Sequence, residues 1–155
     1  MIASAGNRLL GDDGVGHVVL ESLRAHSPWD GRVGFLPLEG DLFELADWVE
    51  KADHLIILDA IAGEPVGQID RTARQLRPQA PSFHQTDVAT VLWHLEAVLG
   101  IEKVALWEIW GIRIAMPTRF SEHLSPFVAQ AAVHLEHIVT ARVHQILDAH
   151  TATSD

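Results

Sequence analysis

The sequence predicts an α/β fold: a three-layer sandwich in which a mostly parallel, twisted sheet of about five strands carries helices on both faces. Three observations predict it. Short apolar runs alternate along the chain with segments of helical period, the order expected of strand–helix–strand units. The run Leu55-Ile56-Ile57-Leu58 has no polar alternation, which marks a strand covered on both sides. The chain also has 155 residues, 48% of them apolar and 21% charged, enough for one well-filled core and too few for two. A single domain over residues 1–150 is expected, with 151–155 as a frayed tail.

The elements follow in order. Residues 1–5 are apolar to small and stop at Gly6-Asn7, which reads as a first strand. Val15, Val18, Val19 and Leu23 then recur at helical spacing, with Asp12 or Asp13 as N-cap and an end near His26, before Ser27-Pro28. Residues 33–38 form a second strand, and 42–49 a short helix with Leu42, Leu45, Ala46 and Val49 on one face. The third strand is centred on 55–58. Residues 67–76 are less periodic and read as an edge strand. Residues 86–99 are helical, with Val88, Val91, Leu92, Leu95 and Val98 as the stripe and Gly100 as the stop. A last strand over 104–114 precedes a long helix over 122–149.

Composition removes whole function classes. There is no cysteine, so disulfides, thiol nucleophiles, iron–sulfur clusters and thiolate zinc sites are excluded. A net charge of −10 opposes non-specific binding to nucleic acid or to an anionic membrane. Ten histidines could cancel that charge, so solubility should fall below about pH 6. No apolar run reaches the roughly 18 residues of a membrane span, and no signal peptide opens the chain, so a cytoplasmic location is expected.

In open α/β sheets, sites gather beyond the carboxyl ends of the strands. Asn7, Asp12 and Asp13 should lie there, with Glu39 and Asp41 after the second strand, Asp59 after the third, and His84 at a helix start. The first 64 residues hold 12 acids against 4 bases, so this rim suits a cation better than an anion. Taken singly, each residue has an ordinary alternative: Asp59 a turn or cap, His84 a cap or surface group, and one of Asp12 and Asp13 a helix cap. Conventional machinery is missing. Residues 11–16 lack the Lys-Ser/Thr end of a phosphate loop, and HExxH, GxSxG and doubled Asp-Thr/Ser-Gly motifs do not occur. His134, His137 and His144 read as a solvated helix face, and Arg71, Arg74 and Arg77 as an exposed basic cluster or a dock for an acidic segment.

Three segments carry a family resemblance. Gly6-Asn7-Arg8-Leu9-Leu10-Gly11-Asp12-Asp13-Gly14-Val15-Gly16 resembles the GN-x-LL-x-D-(D/E)-G-x-G signature of the nickel–iron hydrogenase maturation endopeptidases. Residues 53–61, Asp-His-Leu-Ile-Ile-Leu-Asp-Ala-Ile, resemble that family's second block, and Ser82-Phe83-His84-Gln85 its Ser-x-His at a helix start. Order and spacing agree, and the resemblance spans roughly residues 2–147. It implies a peptide-bond hydrolase that recognises nickel already seated in the hydrogenase large-subunit precursor and removes a short C-terminal extension. By motif position, Asp13, Asp59 and His84 are then the nickel ligands, Asp13 and Asp59 the catalytic carboxylates, and Asn7 a supporting residue. The nickel belongs to the substrate, with Cd²⁺ or Zn²⁺ as mimics. The expected partner is the precursor, and the expected state a monomer. Two departures stand out: Ser4-Ala5-Gly6-Asn7 replaces Gly-x-Gly-Asn, and Leu38-Glu39-Gly40-Asp41 replaces a D-G-G-T block, with Glu39 and Asp41 as candidate supporting residues. The alternative from another class is a nickel-binding accessory protein for hydrogenase assembly that does not cut.

Overall fold

Four consecutive aliphatics can all be buried only if a strand has packed layers above and below it. The computed structural model, which describes residues 1–29, 31–73, 88–100 and 106–152, shows this arrangement. Strand β3 (His54–Ala62) sends Ile56 and Leu58 to one face and Leu55 and Ile57 to the other, all four at 2% exposure or less. It lies in a five-stranded sheet with β1 (Ile2–Ser4), β2 (Phe35–Pro37), β4 (Ile69–Ala73) and β5 (Leu106–Ile114), in the order β2-β1-β3-β5-β4. All neighbours run parallel except β4, an antiparallel edge beside β5. The expected α/β sandwich is thus observed.

On one face, helices α1 (Val15–Ala25) and α4 (Pro126–Ala152) bury Val19, Leu23, Val128, Leu135 and Val139 against Ile56, Leu58 and Ile112. On the other, α2 (Ala46–Val49) and α3 (Val88–Leu99) pack Val49, Val91 and Leu92 against Leu55, Ile57 and Trp107. Fully burying a side chain of this size is worth about 1.5–3 kcal/mol, so the two layers supply the main drive for folding.

The structure corrects several local expectations. A 3₁₀ turn, Gly11–Gly14, precedes α1, whose N-cap is Gly14; neither Asp12 nor Asp13 caps it. Within α1, Leu20 and His17 face inward while Val18, expected on the apolar face, is exposed. The helix expected over 42–49 is a 3₁₀ turn, Leu42–Leu45, followed by α2, with the Asp41 carboxylate accepting from Phe43 N–H at 2.9 Å. Helix α4 begins at Pro126, whose missing N–H costs nothing in the first turn. It runs through Ala152, so Thr151 and Ala152 are helical and not part of a frayed tail. The start expected for α3 at residue 86 lies outside the described residues, as do Arg74 and Arg77. His134, His137 and His144 are exposed, the last with its ring edge-on to Trp29.

Arg71 is exposed, as expected, and it is also paired. Its Nε donates to Glu108 at 2.9 Å, while Arg142 Nε donates to the same carboxylate at 2.8 Å and Trp110 Nε1 at 3.2 Å. His54 Nε2 lies 2.9 Å from Glu108 Oε1. Burial alone would push the Glu108 carboxyl up, but bonds and charge from Arg142 and then Arg71 outweigh it and hold it at about 2. Burial also lowers the pKa of His54 and of His17.

These shifts fix the pH dependence of stability. A histidine with a lowered folded pKa loses stability as pH falls below about 6.5, where the unfolded chain takes up the proton first. Glu108, lowered from 4.5 to about 2, contributes stability present above 4.5 and lost as pH falls towards 2. Denaturant unfolding should therefore show two successive declines on acidification. Glu108→Gln should remove the lower one and cost about 3–5 kcal/mol at neutral pH, as breaking a buried ion pair does. An unchanged acid limb in that variant would disprove the assignment.

Candidate active site at the carboxyl edge of the sheet

The loop after β1 folds back on itself because two glycines permit contacts that no other residue would. Gly6 has φ +115°, and a Cβ there would sit 2.0 Å from the Asp13 carbonyl oxygen. Gly16, in the first turn of α1, lies so close to the strand ends that a Cβ would meet the Leu58 and Ala5 carbonyl oxygens at 2.5 and 2.8 Å. Helix α1 thus starts flush against β1 and β3, at the level where Ala5 N–H donates to Leu58 O at 2.9 Å.

This seating brings Asp13 to the edge of the sheet beside β3. The Asn7 backbone N–H donates to Asp13 Oδ2 at 2.8 Å, and the Asn7 side chain accepts from Leu9 N–H at 2.9 Å. Asn7 therefore supports the site through its backbone amide and stiffens the loop through its amide oxygen. Asp13 is half-buried. Asp59 lies within β3 and not after it as expected: it follows Leu58, the partner of the last residue of β1, while β3 continues against β5 through the Asp59–Gly111 pair. It is half-buried, and its Oδ1 accepts from Ala60 N–H at 2.8 Å. Both carboxylates occupy rigid positions on the carboxyl side of the sheet.

The other sequence candidates divide. Glu39 is exposed and stands 3.9 Å from Arg8 Nε, whose guanidinium also pairs with Glu21 at 2.7 Å. Glu39 shares with Asn7, Arg8 and Gly6 the wall of a cavity of about 380 Å³. Asp41 is spent on the cap of the 3₁₀ turn after β2. Asp12 faces away from Asp13: its two oxygens accept from Ser125 N–H at 2.6 Å and Ser125 Oγ at 2.8 Å, tying the loop to the start of α4. A second tie runs along the chain, where Gly11 N–H donates to Ser121 O at 2.6 Å and Ser121 N–H to Leu9 O at 2.9 Å. Ser82 and His84 lie outside the described residues. Among the described residues no three His, Asp or Glu side chains form a metal-holding group.

One residue of this region escaped the sequence reading. His17 is 1% exposed, lines the same cavity from below, and contacts Ser4 Oγ at 2.8 Å and Gly6 O at 3.0 Å. The signal was there: a histidine directly after the glycine that seats the helix must face the strand ends. Ser4 is fully buried, so the Ser4–His17 pair does not present a nucleophile to solvent.

Both comparisons that gave matches point the same way as the motifs. No family model matches the chain. The hydrogenase expression/formation protein HupD of Thiocapsa roseopersicina is 28% identical over 151 residues, covering 87% of this chain and 66% of HupD. The chain thus spans about two thirds of that relative's length. Among solved structures, the [NiFe] hydrogenase maturation protease HybD of Thermococcus kodakarensis superposes with a TM-score of 0.66 at 24% identity, over 90% of this chain and 96% of HybD. The hydrogenase maturating endopeptidase HybD of E. coli gives 0.65 at 22% identity, over 93% and 91%. An endopeptidase from Escherichia coli solved in solution gives 0.72 at 23% identity, over 94% and 93%. The chain has the fold of the hydrogenase maturation proteases.

The packing of the loop makes its own prediction. Gly16→Ala should cost about 1–3 kcal/mol, the range for overpacking a filled interior. Asp12→Ala should cost about 1–2 kcal/mol by freeing the start of α4. Thermal or denaturant unfolding measures both, and a Gly16→Ala protein as stable as the parent would contradict the seating of α1.

Proposed function

We propose, from the shared fold and the ordered motifs, that this chain is a hydrogenase maturation endopeptidase acting in the cytoplasm as a monomer. Its substrate is the hydrogenase large-subunit precursor, from which it removes the C-terminal extension once nickel is in place. What supports this reading is Asp13, with one oxygen held by the Asn7 N–H, and Asp59, within β3 one residue past the level at which β1 ends, each at its motif position.

The donor set suits the task. Carboxylate oxygen and imidazole nitrogen are acceptable ligands for Ni²⁺, and a chain without cysteine brings no thiolate to compete with the precursor's own cysteines. Asp13 and Asp59, with His84, would contact the nickel carried by the precursor and fix the scissile segment beside it. Asn7 N–H keeps one Asp13 oxygen oriented, so the carboxylate meets the metal preorganised. Two routes to water activation are chemically open: one of the two carboxylates takes the proton as general base, or the nickel polarises the scissile carbonyl. Neither needs a serine.

The test is mass-resolved processing of nickel-loaded and nickel-free precursor. The parent protein should shorten only the loaded form. Asp13→Asn and Asp59→Asn should each reduce cleavage by roughly 100-fold or more, the scale of losing a principal electrostatic group, whereas Ser82→Ala should cleave normally. Equal cleavage of nickel-free precursor would overturn the reading. Binding of loaded precursor without any shortening would favour a non-cleaving nickel-binding accessory protein instead.

The same ligand set predicts a pH dependence. Metal binding requires neutral His84 and ionised Asp13 and Asp59, so Ni²⁺ or Cd²⁺ affinity should fall as pH drops from 8 to 5. Calorimetric titration at both ends measures it, and a flat profile would exclude histidine ligation.

A further inference from the structure

The His17 ring is buried beneath the Asp13 loop, and its bonds have a direction. A carbonyl oxygen only accepts, so at 3.0 Å from Gly6 O the Nε2 atom must carry a proton and donate it. In the neutral ring Nδ1 is then bare, and the Ser4 hydroxyl, 2.8 Å away, must donate to it. The Gly6 carbonyl and the Asn7 N–H belong to one planar peptide unit. That unit accepts from His17 on its oxygen side and donates to Asp13 Oδ2 at 2.8 Å on its nitrogen side. All three donations point the same way, from Ser4 through His17 and the peptide to the Asp13 carboxylate. Bonds aligned head to tail polarise one another.

We propose that His17 is a positioning residue for Asp13, acting through the Gly6–Asn7 peptide, with Ser4 fixing its tautomer. The metal readout rests on the maturation-protease reading; the linkage itself does not. Gly6 needs such a tie. Its φ of +115° lies where only glycine is at ease, so the residue has no side chain with which to hold its peptide plane. The buried ring, wedged between β1 and the loop, supplies the missing constraint. It also explains the departure at the first position of the motif. A serine there offers the hydroxyl that a glycine lacks, matching a histidine at position 17.

The arrangement parallels outer-shell partners at metal centres, whose loss typically costs about 10–100-fold in metal affinity. The full-length chain and three variants test it: His17→Leu, which removes both ring nitrogens; His17→Gln, whose amide can still donate to Gly6 O; and Ser4→Ala. Imidazole ¹⁵N spectra of the parent should show a protonated Nε2 and a bare Nδ1, and Ser4→Ala should shift the balance towards the other tautomer. Amide exchange at Asn7 should accelerate by about tenfold or more in His17→Leu, relative to amides in β3, and return towards the parent value in His17→Gln. Affinity for Ni²⁺ should fall by about tenfold or more in His17→Leu and recover in His17→Gln.

A protonated Nδ1 in the parent, or Asn7 exchange unchanged in both His17 variants, would overturn the proposal. Should His17→Leu fail to fold, the parent spectrum and Asn7 exchange in Ser4→Ala, expected faster by a few-fold, decide the matter. A parent that binds no nickel but shows the spectral and exchange signatures would refute the metal reading while leaving the His17 linkage intact.

Discussion

Everything at the candidate site depends on how closely α1 approaches the strand ends. With no Cβ at Gly16, the helix backbone sits on the Leu58 and Ala5 carbonyls. Any larger residue would lift the first turn away and carry Asp13 off the sheet edge. Gly6 repeats the device on the other side of the loop, with its Cα against the Asp13 carbonyl. Two such contacts leave the nine residues between them one path. The Asn7 amide then faces Asp13 because the backbone has nowhere else to put it.

The molecule uses carboxylates in two ways, and their surroundings separate the uses. Glu108 is almost fully buried, with two guanidiniums, an indole N–H and an imidazole around it, and its pKa is driven down to about 2. A group so fully engaged holds β4, β5 and α4 together and has nothing left for a ligand. Asp13 is half-exposed, at a cavity-bearing edge, with a backbone amide on one oxygen. Buried charge satisfied from all sides serves architecture; half-exposed charge held by the backbone remains open to a ligand.

Asp12 shows how adjacent residues of like charge can be separated in role by backbone geometry. The 3₁₀ turn sends its side chain towards Ser125 and the start of α4, while Asp13 points back to Asn7. The loop is therefore clamped from two directions, by α4 through Asp12 and by β1 through His17. Under the proposed function such stiffness helps, since ligands held in place lose little freedom on binding.

The sequence by itself determined the layers, the strand run 55–58 and the edge strand. These follow from local signals: apolar run length and helical spacing. What only the tertiary structure decided was where individual side chains point. Val18, which spacing placed on the inward face of α1, is exposed, while His17, which spacing left unassigned, is buried. Arg71 is exposed as expected, but its partner Glu108, 37 residues away on a neighbouring strand, was not legible in the sequence. Asp12 found Ser125 at a separation of 113 residues. Periodicity reports which face of an element meets the core; it carries no information about which distant chain segment arrives there, because that is set by packing of the whole sheet and its two helical layers.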